Sequence, residues 1–196
     1  MARNARAWVL TAVGKDRPGI VARVTEILFR RGCNLEDSAM SRLGGEFAVM
    51  LVFSAPVACT EPILRSEFSK VARQLGLMIQ VHALTGAERK STSRGTPCLI
   101  SVYGADHPGI VYHVASLLAR LRVNITDLTT HLAPRRVGRL PAGRHGARGS
   151  APLYLMTLEV ECPSSVRASR LEQQLKRLAK RLRVEVTLRS AEAPVL

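Results

Sequence analysis

An α+β fold is predicted: two tandem ferredoxin-like βαββαβ domains, each an antiparallel four-stranded sheet with helices on one face. Three observations predict it. The chain matches itself at an offset of 90 residues. Each copy runs strand, helix, strand, strand, helix, strand by its apolar spacing. A polar segment rich in Ser, Thr, Gly and charge separates the copies.

The repeat is the firmest of the three. Residues 14–37 align with 104–127 without a gap and share eleven identities in 24 positions. Gly14, Asp16, Pro18, Gly19, Ile20 and Val21 meet Gly104, Asp106, Pro108, Gly109, Ile110 and Val111. Asn34 and Asp37 meet Asn124 and Asp127. Solenoids need three or more shorter units, so two duplicated globular domains fit better.

In the first copy, residues 7–13 are a short apolar run ending at Gly14, the pattern of a buried strand. Pro18 is placed to open a helix, and Ile20, Val21, Val24, Ile27 and Leu28 share one helical face. Gly32 stops that helix. Residues 34–43 and 46–54 read as a hairpin about Gly44-Gly45. Pro62 opens a second helix with the stripe Leu64, Phe68, Val71 and Leu75. Gly76 ends it, and residues 77–84 close the sheet. In the second copy the strands fall at 97–103, 124–132, 152–161 and 184–188, and the first helix at 108–121. Leu171, Leu175, Leu178 and Leu182 repeat the earlier stripe. The domains are therefore expected at 1–84 and 97–196, joined by a linker at 85–96. Modules this small bury modest cores, so a homo-oligomer is expected.

The formal net charge is +14 and the isoelectric point about 10.9. Such a balance suits a nucleic acid, an acidic protein or an anionic surface. Arg135, Arg136, Arg139, Arg144 and Arg148 lie in an Arg/Gly/Pro-rich loop at 134–151 that holds no carboxylate. Its composition reads as a solvated connection or as an arm for an acidic partner. Cys33, Cys59, Cys98 and Cys162 form no CxxC pair, which fits free thiols in a reducing compartment. The run at 7–13 is too short for a signal peptide or a membrane span, so a cytoplasmic location without a membrane partner is expected. No Gly-x-Ser-x-Gly elbow, phosphate loop or HExxH is present, and the histidines are dispersed. No catalytic residue, metal ligand or cofactor is assigned.

The duplicated loop Gly-x-Asp-x-Pro-Gly-Ile-Val turns a strand end into a helix start. Two readings of it stand. Asp16 and Asp106 cap the helix, with Pro and Gly shaping the turn. Alternatively the free first-turn N–H groups and the helix dipole receive a ligand carboxylate, which glycine lets approach closely. Asn34 and Asn124 likewise read as strand-start residues or as amides that recognise an amino or carboxylate group.

These residues resemble ACT domains, small-molecule-sensing modules of amino-acid metabolism. More narrowly, the tandem arrangement, the loop at 14–21 and the hairpin Asn34-Leu35-Glu36-Asp37-Ser38-Ala39-Met40-Ser41-Arg42-Leu43-Gly44-Gly45-Glu46-Phe47 resemble the glycine cleavage system transcriptional repressor family. The resemblance implies side-by-side pairing of sheets, and ligand sites between the strand–helix loop of one domain and the edge strand of a neighbour. Carried over, the ligand contacts are Asp16, Arg17, Gly19, Ile20 and Asn34, with Asp106, His107, Gly109, Ile110 and Asn124. It implies a non-catalytic regulatory protein that binds a small amino acid, glycine being one candidate. Such a protein modulates a transcriptional regulator of amino-acid or one-carbon metabolism by protein contact. The long basic loop departs from that family's pattern, and Arg17 is replaced by His107 in the second copy.

The alternative is direct nucleic-acid binding through the basic loop and helix. RNA-recognition modules share the βαββαβ order, and Phe47 and Phe53 lie on a candidate strand. Their glycine–aromatic signature is absent, and aromatic residues make up 4% of the chain.

Overall fold

The computed structural model describes residues 5–85, 95–133 and 152–190. The basic loop at 134–151 and most of the linker lie outside the described residues. The chain divides into two units, Met1–Thr92 and Ser93–Leu196. Unit one comprises β1 (Ala5–Lys15), α1 (Ile20–Arg30), β2 (Asn34–Leu43), β3 (Glu46–Pro56), α2 (Glu61–Leu75) and β4 (Leu77–Ala83). Unit two repeats it as β5 (Gly95–Ala105), α3 (Ile110–Arg120), β6 (Asn124–Ala133), β7 (Leu153–Pro163), α4 (Ala168–Leu182) and β8 (Val184–Ser190). The sheets are antiparallel, ordered β2-β3-β1-β4 and β6-β7-β5-β8. Strand β5 thus starts inside the segment read as linker.

Alternation along β1 builds the first core. Trp8, Leu10 and Ala12 point to the helical side and pack with Phe47, Leu51 and Phe53 of β3. Ile20, Val24 and Leu28 of α1 and Leu64, Phe68 and Val71 of α2 close over them. Val21 was expected on that face but is 46% exposed, because spacings of four already span the sheet contact of this short helix. Phe47 and Phe53 are buried under the helices, so neither is available to stack on a base. In unit two Leu171, Leu175, Leu178 and Leu182 are all buried, as the stripe predicts.

The turns explain the boundaries. Gly44 and Gly45 take φ of 60° and 83°, the paired positive values of a two-residue hairpin turn. Helix α1 starts at Ile20, not at Pro18, because Gly19 occupies the N-cap with φ 90°. It ends in a Schellman motif: Gly32 N–H donates to Phe29 O and Cys33 N–H to Leu28 O. Helix α3 makes the same two bonds, from Arg122 to Ala119 and from Val123 to Leu118. There the left-handed position is Arg122, φ 55°, instead of glycine. Likewise Gly76 ends α2 at φ 66°, whereas Arg183 ends α4 at φ 54°. Left-handed arginine is strained by about 1 kcal/mol relative to glycine.

The outer faces of the helices also differ. Between α1 and α2, Arg31 Nε donates to Glu67 Oε2 at 2.8 Å, and its Nη2 donates to the other carboxylate oxygen. This two-point grip holds the Glu67 carboxyl below the usual carboxylate range. Glu26 pairs with both Arg23 (2.7 Å) and Arg30 (2.5 Å).

Candidate ligand-binding site

The loop between β1 and α1 holds four of the expected contacts. Asp16 does not cap the helix; α1 has no side-chain cap bond. Asp16 sits three residues before the N-cap, which Gly19 occupies. Its N–H donates to Gly45 O at 3.1 Å, and its carboxylate accepts from Arg42 Nη1 at 3.3 Å. The capping reading of Asp16 is therefore replaced by a loop-to-hairpin tie. The first-turn N–H groups of α1, beginning at buried Ile20, have no intrahelical partner by geometry. A Cβ built on Gly19 meets nothing within 4 Å, so the approach to them is open. Arg17 is exposed beside them with no recorded partner among the described residues. The result is an accessible helix N-terminus two residues beyond an exposed arginine, an arrangement suited to a carboxylate.

The second loop has the same backbone and a different surface. Gly109 takes φ 97°, but a Cβ there lies 3.4 Å from the His113 ring. Tyr112 packs edge-on against that ring at 5.2 Å. His107 turns inward: its Nε2–H donates to Leu182 O at 2.7 Å, satisfying a carbonyl at the end of α4. Asp106 N–H donates to Pro152 O at 3.2 Å. The counterpart of Arg42 is Leu132, so no ion pair ties this loop to its hairpin among the described residues. Tyr154 stands where unit one has Phe47. Its hydroxyl is buried without a hydrogen-bond partner among the described residues, and burial with the nearby Asp106 charge pushes its pKa up.

Asn34 and Asn124 are not at these loops. Lys15 pairs with Glu46 at one end of the first sheet, whereas Asn34 pairs with Ser54, itself opposite Ala7, at the other. Eight residues along β2 separate Asn34 from Arg42, roughly 26 Å at strand rise. A single amino acid cannot touch Gly19 and Asn34 of the same unit. Asn124 is placed alike, opposite Glu161 on β7.

Sequence reading missed Arg42, His113 and Tyr154. The signal for each lay in the self-alignment, at positions where the copies disagree. The cysteines are free: Cys59 Sγ donates to Arg31 O at 3.6 Å, and Cys98 Sγ to Thr96 O at 3.7 Å. Burial pushes the Cys33 thiol up to about 11 and raises that of Cys162 as well, which makes both poor nucleophiles. Among the described residues no three His, Cys, Asp or Glu side chains converge on a metal position. No described helix is long and apolar enough to cross a membrane.

The ACT domain family model matches residues 7–82. The glycine cleavage system transcriptional repressor of Escherichia coli K12 is 29% identical over 178 residues, covering 90% of this chain and 86% of that protein. A UPF0237 protein of Methanopyrus kandleri is 38% identical over 74 residues, covering 37% of this chain and 82% of that protein. A solved structure of an unknown Galdieria sulphuraria protein superposes at TM-score 0.80, with 24% identity, over 96% of this chain and 100% of that one. A second, described as a glycine cleavage system transcriptional repressor, gives TM-score 0.63 at 18% identity, covering 96% and 99%. These two show the same fold along both units. The chain belongs to the ACT-domain family, as a tandem protein similar to the glycine cleavage system transcriptional repressors over most of its length.

Proposed function

We propose that this chain is a non-catalytic regulator whose first unit binds a small amino acid, glycine being the first candidate. Binding alters its contact with a transcriptional regulator of amino-acid metabolism. One observation carries the reading: the α1 N-terminus is uncapped, open at Gly19 and flanked by an unengaged Arg17. Similarity to proteins named as transcriptional repressors supports the regulatory half. The second loop is a poorer receiver, because the His113 ring lies against Gly109 and His107 is engaged with α4.

Magnitude fits a sensor. Glycine's five non-hydrogen atoms at a ceiling of about 1.5 kcal/mol each allow about 7.5 kcal/mol, a micromolar dissociation constant at best. Such a site responds across a metabolite pool. A ligand that prefers one assembly of the chain shifts the population of that assembly.

Calorimetry across a panel of amino acids tests the ligand half. One small amino acid is expected to bind at micromolar to millimolar levels, and Arg17→Ala is expected to weaken it several-fold. Absence of heat for every amino acid at millimolar concentration sinks the reading. Nucleic-acid binding, the alternative, predicts a complex whose affinity falls steeply with salt.

A further inference from the structure

Helices α2 and α4 are both 15 residues long and correspond residue for residue in the two copies, Glu61 to Ala168 and Leu75 to Leu182. With α1 on α3, this places one groove on each unit at equivalent positions. In unit one the groove encloses about 350 Å³ and its cations are compensated by its own ion pairs, Arg31–Glu67 and Arg23–Glu26. In unit two it encloses about 260 Å³ and is lined by Leu117, Arg120, Gln174, Arg177, Leu178 and Arg181. Every acid has gone: Glu67 is matched by Gln174 and Glu26 by Ser116. Lys70 is matched by Arg177 and Gln74 by Arg181.

The three arginines are exposed, and none has an ion-pair partner among the described residues. Helices α3 and α4 carry six cations against one carboxylate, and that carboxylate, Glu172, is held by Lys176 at 2.7 Å. Helices α1 and α2 carry five cations against three carboxylates. Arg177 and Arg181 are four apart on one face, a like-charge spacing that weakens a helix standing alone. Leu117 and Leu178 form a floor, each 6% exposed.

We infer that the α3–α4 groove of unit two docks an acidic, amphipathic segment of a partner protein. Its carboxylates meet Arg120, Arg177 and Arg181, and its apolar side chains rest over Leu117 and Leu178. Guanidinium forks grip carboxylates at two points, and Gln174 adds one neutral donor and one acceptor. A protein segment fits better than a nucleic acid for two reasons. The floor is apolar and no aromatic side chain lines the groove, so there is nothing for a base to stack on.

This inference rests on the protein-contact reading proposed above. The test uses the full chain and a synthetic helical peptide of Glu and Leu, followed by fluorescence anisotropy. Binding is expected, with about tenfold weakening in the Arg177→Glu/Arg181→Glu double variant. Gln174→Glu, which restores the acid found in unit one, should weaken binding several-fold by supplying an internal partner. Lys70→Glu, on the other groove, should change it less than about twofold. Circular dichroism confirms that each variant is folded, and amino-acid binding is measured on the same preparations. Peptide binding with no amino-acid binding leaves the groove standing and removes the sensor. Absence of peptide binding, or equal loss from Lys70→Glu, overturns the groove. Tighter binding of single- or double-stranded DNA, lost in the same arginine variants, overturns it in favour of nucleic acid.

Discussion

Unit one and unit two share a backbone down to the same bulge after the first residues of β2 and of β6. Their surfaces have moved in opposite directions. Unit one keeps glycine at both helix ends, balances its helical groove with its own carboxylates, and leaves the α1 N-terminus open. Unit two puts arginine at both helix ends, strips the groove of acids, and sets His113 beside Gly109. Duplication preserved what the sheet and core demand. It released the loop and the outer helical faces, and there the copies differ: an open helix N-terminus in one, uncompensated positive charge in the other.

The largest effect separating the units is in the cores. Phe68→Ala should destabilise unit one by about 3–5 kcal/mol, since Phe68 is 1% exposed. Trp8 is the chain's single tryptophan and lies in the same core, so its fluorescence reads that unit in a urea titration. A change under about 1 kcal/mol would mean the site collapses around the deletion, contrary to the packing described.

Next comes the Phe47/Tyr154 pair. Tyr154→Phe removes a buried hydroxyl that has no partner and should stabilise unit two by about 1–2 kcal/mol. Phe47→Tyr should cost unit one a similar amount. Destabilisation by Tyr154→Phe would mean the phenol is paired in solution, through water or a bound ligand. Arg122→Gly and Arg183→Gly follow, each expected to add about 0.5–1 kcal/mol to unit two by relieving left-handed strain. Gly32→Ala and Gly76→Ala should have the opposite sign in unit one.

The smallest effect is in acid. Arg31 lowers the folded-state pKa of Glu67, so its contribution is complete above the unfolded carboxylate value, about 4.3. It is lost as pH falls through the lower folded value. Gln174 has nothing to protonate. Glu67→Gln should therefore lower Trp8-detected stability slightly at neutral pH, where the pair is fully formed, and converge with the wild type in acid, flattening the acid limb. A mutant curve parallel to the wild type below pH 4 would show that the pair contributes nothing.

Much of the fold was legible because its signals are local. The Leu171–Leu182 stripe, the Gly44-Gly45 turn and the Gly76 stop each rest on residues a few positions apart. The helix start was misplaced by two residues because Pro18 looks like an opening residue, while Gly19 takes the cap by its backbone alone. The site was legible as a loop but not as a geometry. Asp16 pairs with Arg42 across 26 residues and His107 with Leu182 across 75, and no spacing rule reaches that far. The distance from the loop to Asn34 follows from chain direction: α1 runs back along β1, so β2 begins at the far end of the sheet.

Strands β2 and β6 have a further consequence. Each forms an edge of its sheet, and each is exposed along nearly its whole length. Strand β2 carries Glu36, Asp37 and Arg42, charges that discourage another chain from adding to it. Strand β6 is mostly Thr, Leu and Ile, with Asp127 as its one carboxylate and no Lys or Arg. Repulsion between the net positive charges of two chains opposes such addition, and it falls off within about 8 Å at physiological ionic strength. Salt added to prevent unwanted ionic contacts removes that protection, and the first precipitate should form in high-salt stocks, by strand addition through β6.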